Sequence, residues 1–244
     1  MIEISNMVNI VTEKGKRLNN EDSIYPNNFE AAQNSNLFMI CDGVGGSNKG
    51  EIASTLAIES FIEFTSNHLL NITPFVIKNA LNFTEIKFSE YIEAHPECAG
   101  MATTLTLLYF KVDEIIIAWC GDSRIYQIRN GKIIFKTKDH SEVQALIDKG
   151  ELSPEIARID RRKNRIYRAI SSIENPTKLD IEILNDFKKD DFLMLCSDGV
   201  IESFSDSEFE NLFFNNSFSE IFNSISSKCK LQSKDNYSLI LIQI

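Results

Sequence analysis

The sequence predicts an α+β fold with antiparallel sheets. Three observations carry this. Residues 102–110, 115–120, 124–129 and 132–137 are short β-rich runs separated by brief polar breaks, and Asn130-Gly131 is a type I′ hairpin signal. Helical spacing is confined to other stretches, chiefly 50–94 and the C-terminal third. The strand–helix–strand rhythm of a doubly wound parallel sheet is absent.

Taken in order, residues 2–12 alternate loosely and predict an opening strand. An asparagine-rich polar run follows, then a loop containing Pro26. The run LFMICDGVGG at 37–46 is the centre of the chain: an apolar strand stops at Asp42, and three glycines lie within the next four positions. Ile52, Leu56, Ala57, Phe61 and Phe64 are spaced as one face of a helix over 50–70. Thr73 and Pro74 are an N-cap and first-turn pair for a second helix reaching about residue 94. From 141 the pattern turns polar and helical, with one short helix ending at Gly150 and another opening at Ser153-Pro154. Strand character returns at 179–184 and 191–196. Ser205 with Glu208, and Ser217 with Glu220, are capping boxes for two further helices, and 237–244 is a closing strand.

Length and composition bound the rest. At 244 residues, with no repeat, low-complexity block or linker, the chain is read as one domain spanning 1–244. A net charge of −10 argues against a nucleic-acid partner, because a phosphate backbone would be repelled. The five cysteines fall mostly inside apolar runs and form no C-x-x-C pair, so neither zinc nor a disulfide framework is indicated. No signal peptide and no membrane-spanning run is seen, and a cytoplasmic, reduced protein is expected.

The carboxylates are the chemical signal. IIIAWCGDS ends at Asp122 and FLMLCSDGV at Asp198, repeating the pattern at Asp42 of an apolar strand with an aspartate at its tip. One such strand end is an ordinary turn; three suggest a shared site. With Asp22 and Asp235 they make five like charges flanking strands, which would be driven neutral unless cations were present. Oxygen ligands without histidine or thiolate suit Mg²⁺ or Mn²⁺. His68, His95 and His140 fall in a helix, a helix end and a loop, where a lone histidine is more often structural. Arg158, Arg161, Arg162, Lys163, Arg165 and Arg168 concentrate six basic residues in an otherwise acidic chain. A solvated helix face is slightly favoured for them over a lobe touching phosphorylated or acidic ligands.

The ordered set R-L-N-N-E-D (17–22), D-G-V-G-G (42–46), M-A-T-T (101–104), G-D-S-R-I-Y (121–126), K-D-H-S (138–141), C-S-D-G-V (196–200) and D-N (235–236) resembles the metal-dependent protein phosphatases, the protein phosphatase 2C family in its compact bacterial form. Each piece alone is weak, but seven in order over nearly the whole chain are specific. The resemblance implies a four-layer α-β-β-α sandwich with metals at one end of the sheets. It implies hydrolysis of phosphoserine and phosphothreonine in proteins by water activated between two divalent cations, Mn²⁺ or Mg²⁺, with a third, weaker ion in bacterial members. Asp42 would bridge two metals with Gly43 giving its carbonyl, and Asp198 and Asp235 would complete the first metal's shell. Asp122 with Asp198 would hold the third ion. Asp22 would belong to the metal site and orient the attacking water or take its proton, Glu21 would support the shell, and Arg17 would bind the phosphate. A flap over about 141–172 would place Arg161, Arg162 and Lys163 near phosphoprotein substrates of a serine/threonine kinase. A monomer, with neither nucleic acid nor membrane as partner, is expected.

Several positions depart from the family pattern. Val44 stands where animal members carry a histidine and bacterial ones usually methionine, so the chain lacks that general acid. Ala102 replaces a glycine, the glycines often found before Asp235 are missing, Tyr237-Ser238 replaces the commoner Ile-Thr, and Asp160-Arg161 replaces a frequent His-Pro. None removes an expected ligand. The competing readings are a catalytically weak, regulatory phosphoprotein-binding relative, and an acidic globular domain whose aspartates only form turns. The first would normally show a lost metal aspartate, and the second does not explain the ordered set.

Overall fold

Strands that are apolar on both faces need cover on both faces, and the chain supplies it. The computed structural model describes residues 7–44, 49–66 and 71–244. One antiparallel sheet runs β1 (Met7–Glu13), β11 (Tyr237–Gln243), β10 (Phe192–Cys196), β7 (Arg124–Arg129), β8 (Lys132–Lys136). The other runs β2 (Asp22–Tyr25), β3 (Leu37–Val44), β5 (Leu105–Phe110), β6 (Ile115–Cys120), β9 (Asp180–Leu184), with the two-residue β4 (Ala102–Thr103) paired to the end of β3. Every pairing is antiparallel, as the meander predicts.

Period-two alternation sorts the side chains into three apolar layers. Phe38 and Ile40 of β3, Ile115 and Ile117 of β6, Leu193 and Leu195 of β10, and Ile240 and Ile242 of β11 meet between the sheets. Their strand neighbours Met39, Cys41, Ile116 and Cys120 face α2 (Gly50–Thr65) and α3 (Pro74–Ala94), through Ala57, Phe61, Ile77 and Phe88. Met194, Cys196, Leu239 and Leu241 face α7 (Asp206–Asn215) and α8 (Phe218–Gln232), through Phe209, Phe213, Ile221 and Ile225. The result is a helix–sheet–sheet–helix stack, and each fully buried Leu, Ile or Phe in it contributes roughly 1.5–3 kcal/mol. All five cysteines are free and buried.

Local signals fix the elements. The Thr73 hydroxyl accepts from Val76 N, and both capping boxes form. Asn130 and Gly131 take φ of 51° and 72°, the left-handed pair of a I′ turn. Three expectations are corrected. The stretch read as a polar loop contains β2 and α1 (Phe29–Gln33), capped by Asn28. The run 102–110 breaks at Thr104 into β4 and β5. The helix expected over 50–70 runs to Thr65. Residues 2–6 of the opening strand, Gly45 and Gly46 of the central turn, and His68 lie outside the described residues.

Candidate active site

The sandwich brings strand ends from both sheets to one rim. β3 delivers Asp42 and Gly43, the turn after β6 delivers Asp122, β10 leads into Asp198, and the turn before β11 carries Asp235. With Arg17, Glu21 and Val44, these residues line one cleft of about 220 Å³. Asn164 and Ile166 close it from the segment 141–172.

The Asp42 backbone is pinned on both sides: its carbonyl accepts from Thr104 N at 2.8 Å and Thr103 Oγ1 at 2.9 Å, and its N–H donates to Thr104 Oγ1 at 3.0 Å. Only the carboxylate is left to act. Gly43 is required by close approach, because a Cβ there would lie 2.2 Å from the carbonyl oxygen of Gly50 at the start of α2. Across the rim, a Cβ on Gly199 would lie 1.9 Å from the Asn236 carbonyl oxygen. This contact lets the 235–236 turn press on the start of α6 (Asp198–Ser203) and sets Asp235 beside Asp198. Asn236 fastens the Arg17 loop to the same turn: its Nδ2 donates to the carbonyls of Lys14 at 2.9 Å and Asn19 at 2.7 Å, while its Oδ1 accepts from Glu21 N at 2.9 Å.

Asp22 does not line the cleft. It is buried behind it, directly opposite Asp42 in the β2–β3 register. Its Oδ2 accepts from Ser197 Oγ at 2.8 Å and Ser238 Oγ at 2.7 Å, but its Oδ1 is buried with no hydrogen-bond partner. Burial holds the Asp22 carboxyl up to about 6 against the pull of both serines, with Asp235 and Glu21 adding repulsion. Burial likewise pushes Asp122 up to about 7, and Asp139 adds to it. Asp42 is held well above the carboxylate range by burial first and then by Asp22, Asp198, Asp122 and Asp235. Asp198 rises for the same reasons. Glu21 is raised by burial and by Glu51.

Arg17, exposed at the mouth, donates through Nη2 to Asp235 Oδ2 at 2.7 Å. The basic residues expected near a protein substrate lie outside the cleft lining. Arg162 is paired with Asp160 and Glu142, Lys163 with Glu202, and neither lines the cleft. Arg161 is exposed and enters no ion pair among the described residues. His140 is buried scaffolding: its Nδ1 accepts from Gly121 N at 3.1 Å, and its Nε2 lies 3.1 Å from both Asp180 Oδ2 and Arg168 Nη1. Burial lowers its pKa.

Seven contributors carry no role in the sequence reading: Ser197, Ser238 and Asn236, which hold Asp22 and the rim turns, Thr103 and Thr104, which pin Asp42, and Asn164 and Ile166, which wall the cleft. Ser197, Asn236 and Ser238 are sequence neighbours of Asp198 and Asp235, and that adjacency was the available signal. Nothing in the local sequence marks Asn164.

The donor set fits hard divalent cations: carboxylates at the rim, a glycine carbonyl beside Asp42, and a buried acceptor atom left without a partner. Among the described residues no three acidic, histidine or cysteine side chains already close on one point. The carboxylates stand around the cleft instead, with room for waters of the kind Mg²⁺ retains.

Fold and cleft together define an α+β sandwich protein with an acidic, all-oxygen site at the end of its sheets. The family model for protein phosphatase 2C matches residues 14–234, and the chain belongs to that family. It is 31% identical over 190 residues to the serine/threonine protein phosphatase PstP of Mycobacterium tuberculosis, a match covering 78% of this chain and 35% of that protein. The chain therefore spans about a third of that relative's length. It is also 31% identical over 206 residues to the serine/threonine phosphatase stp of Listeria monocytogenes, covering 82% of this chain and 80% of the other. A crystal structure of the PstP catalytic domain in complex with two manganese ions superposes with a TM-score of 0.80 at 26% identity, covering 98% of this chain and 97% of that one. Among the described residues no helix is long and apolar enough to cross a membrane.

Proposed function

We propose that this chain is a cytoplasmic, monomeric protein-serine/threonine phosphatase with one catalytic domain and a flap over about 141–172, acting on phosphoproteins made by a serine/threonine kinase. The observation that carries the reading is the single cleft lined by Asp42, Gly43, Asp122, Asp198, Asp235 and Arg17. Asp42 and the Gly43 carbonyl would hold two divalent ions, Mn²⁺ or Mg²⁺, with Asp198 and Asp235 on one of them and Asp122 with Asp198 on a third. When bound, such ions supply a nucleophilic water at neutral pH and offset the charge on phosphoryl oxygens.

The chain's own residues do the rest. Arg17, solvent-accessible at the mouth, orients the phosphate through its planar guanidinium. Asp22 Oδ1 has a buried lone pair and a pKa pushed up to about 6, properties suited to taking a proton from the attacking water. Ser197 and Ser238 donate to the other oxygen and leave Oδ1 as the free acceptor. Glu21, through its backbone, holds Gly43 N at 3.1 Å. Val44 has no proton to give, so the leaving alkoxide takes its proton from water. Arg161 is the member of the basic segment still available to a protein substrate.

The test is hydrolysis of p-nitrophenyl phosphate with and without Mn²⁺, repeated on Asp42→Ala and Asp198→Ala. Manganese-dependent turnover lost in both variants is expected. No turnover in the parent rejects the phosphatase reading, and turnover surviving both substitutions rejects the site.

A further inference from the structure

Beside the aspartate cleft lies a second, larger hollow of about 650 Å³. It runs between the flap helices α4 (Glu142–Asp148) and α5 (Pro154–Ala157) and the core around α6. Folded interiors tolerate few voids larger than a water, whereas ligand pockets run to about 300–1,000 Å³. The flap shows why the space stays open: α4 fully buries only Val143, and α5 only Ala157. Val143, Ile147, Pro154, Ala157 and Ile201 form an apolar wall around it.

The basic side chains in the groove are already satisfied. Arg124 pairs with Asp139 at 2.7 Å, Lys136 with Asp206 at 2.6 Å and Lys163 with Glu202 at 2.5 Å, both members of each pair lining the groove. Lys138 pairs with Asp148, and Arg158 donates to the carbonyls of Phe204 and Ile201. An acidic partner would have to break one of these pairs, while an apolar one would not.

The groove is continuous with the cleft, since Asp122, Asn164 and Asp198 line both. An occupant whose phosphate sits among the aspartates therefore has its adjoining chain at the mouth of the groove. We propose that the groove seats the polypeptide beside the phosphoserine or phosphothreonine and selects an aliphatic or aromatic side chain there, a specificity that rests on the phosphatase reading. It places discrimination among phosphoproteins in the apolar flap wall, with basic side chains contributing little inside the groove.

The test is a phosphothreonine peptide series carrying isoleucine, glycine, lysine or glutamate at each site within about three residues of the phosphothreonine. Manganese-supported turnover and fluorescence-polarisation affinity are both measured. At one site, isoleucine should exceed the other three by about tenfold, the discrimination an apolar pocket achieves. Ile147→Lys should erase that preference and Ile147→Ala should weaken it. If the lysine variant fails to fold, the alanine variant decides. A series flat in turnover and affinity overturns the proposal, as does a preference that survives in a folded Ile147 variant. Absence of manganese-dependent hydrolysis of p-nitrophenyl phosphate would instead sink the phosphatase reading, and the affinity series would still judge the groove.

Discussion

Asp22 and Asp42 stand opposite each other in the β2–β3 ladder, one buried behind the cleft and the other on its wall. Two carboxyls so placed cannot both ionise cheaply. Asp22 is raised to about 6 and Asp122 to about 7, and burial with neighbouring carboxylates holds Asp42 and Asp198 well above the usual carboxylate range. The native state thus holds protons that the unfolded chain releases near pH 4, so stability falls as pH rises. Protein stripped with EDTA should lose melting temperature steadily from about pH 4 to pH 7. Thermal scans in that window check this, and a melting temperature that climbs across it would contradict the assignment.

Arg17 binds Asp235 at 2.7 Å yet remains open to solvent. Arg17→Ala should lower kcat/KM for p-nitrophenyl phosphate by about 10–100-fold, the worth of a hydrogen bond to a charged group. Arg17→Lys should recover only part, because an ammonium cannot make the forked contact. Steady-state kinetics on both variants decide, and full activity in Arg17→Ala would remove Arg17 from the site.

Gly43 and Gly199 are demanded by backbone contacts that no rotamer change relieves. Gly43→Ala and Gly199→Ala should each cost at least roughly 2 kcal/mol, the scale of overpacking a rigid site. Urea unfolding measures this, and an unchanged midpoint would show that the rim turns are not held as described.

In the basic segment, Arg162 and Lys163 are occupied by Asp160, Glu142 and Glu202. Serine at Arg161, Arg162 and Lys163 together should weaken action on phosphoproteins more than on the chromogenic ester, with Arg161→Ser alone giving most of the effect. Equal loss on both substrates would leave the cluster a solvated face.

These residues also show what could be read from sequence and what could not. Thr73-Pro74, Asn130-Gly131 and the two serine–glutamate boxes act within four residues, so their elements were legible. The three aspartate-tipped strands were legible for the same reason, since glycine and charge end an apolar run abruptly. β2 was not: four residues, DSIY, after an asparagine-rich stretch carry too little pattern, and it forms because β3 pairs with it. Asp22 could be picked out, but its burial behind Asp42 could not, because that follows from register between strands fifteen residues apart. The pairing of Lys163 was hidden likewise, since its partner Glu202 lies far along the chain.

If these carboxylates gather at one rim because divalent cations neutralise them there, the rim must take up metal. Calorimetric titration of Mn²⁺ into EDTA-stripped protein, beside Asp42→Asn and Asp198→Asn, tests it most directly. At least two ions should bind the parent, with binding lost or sharply weakened in both variants. A parent that takes up no manganese, or variants that bind it as the parent does, would contradict the claim.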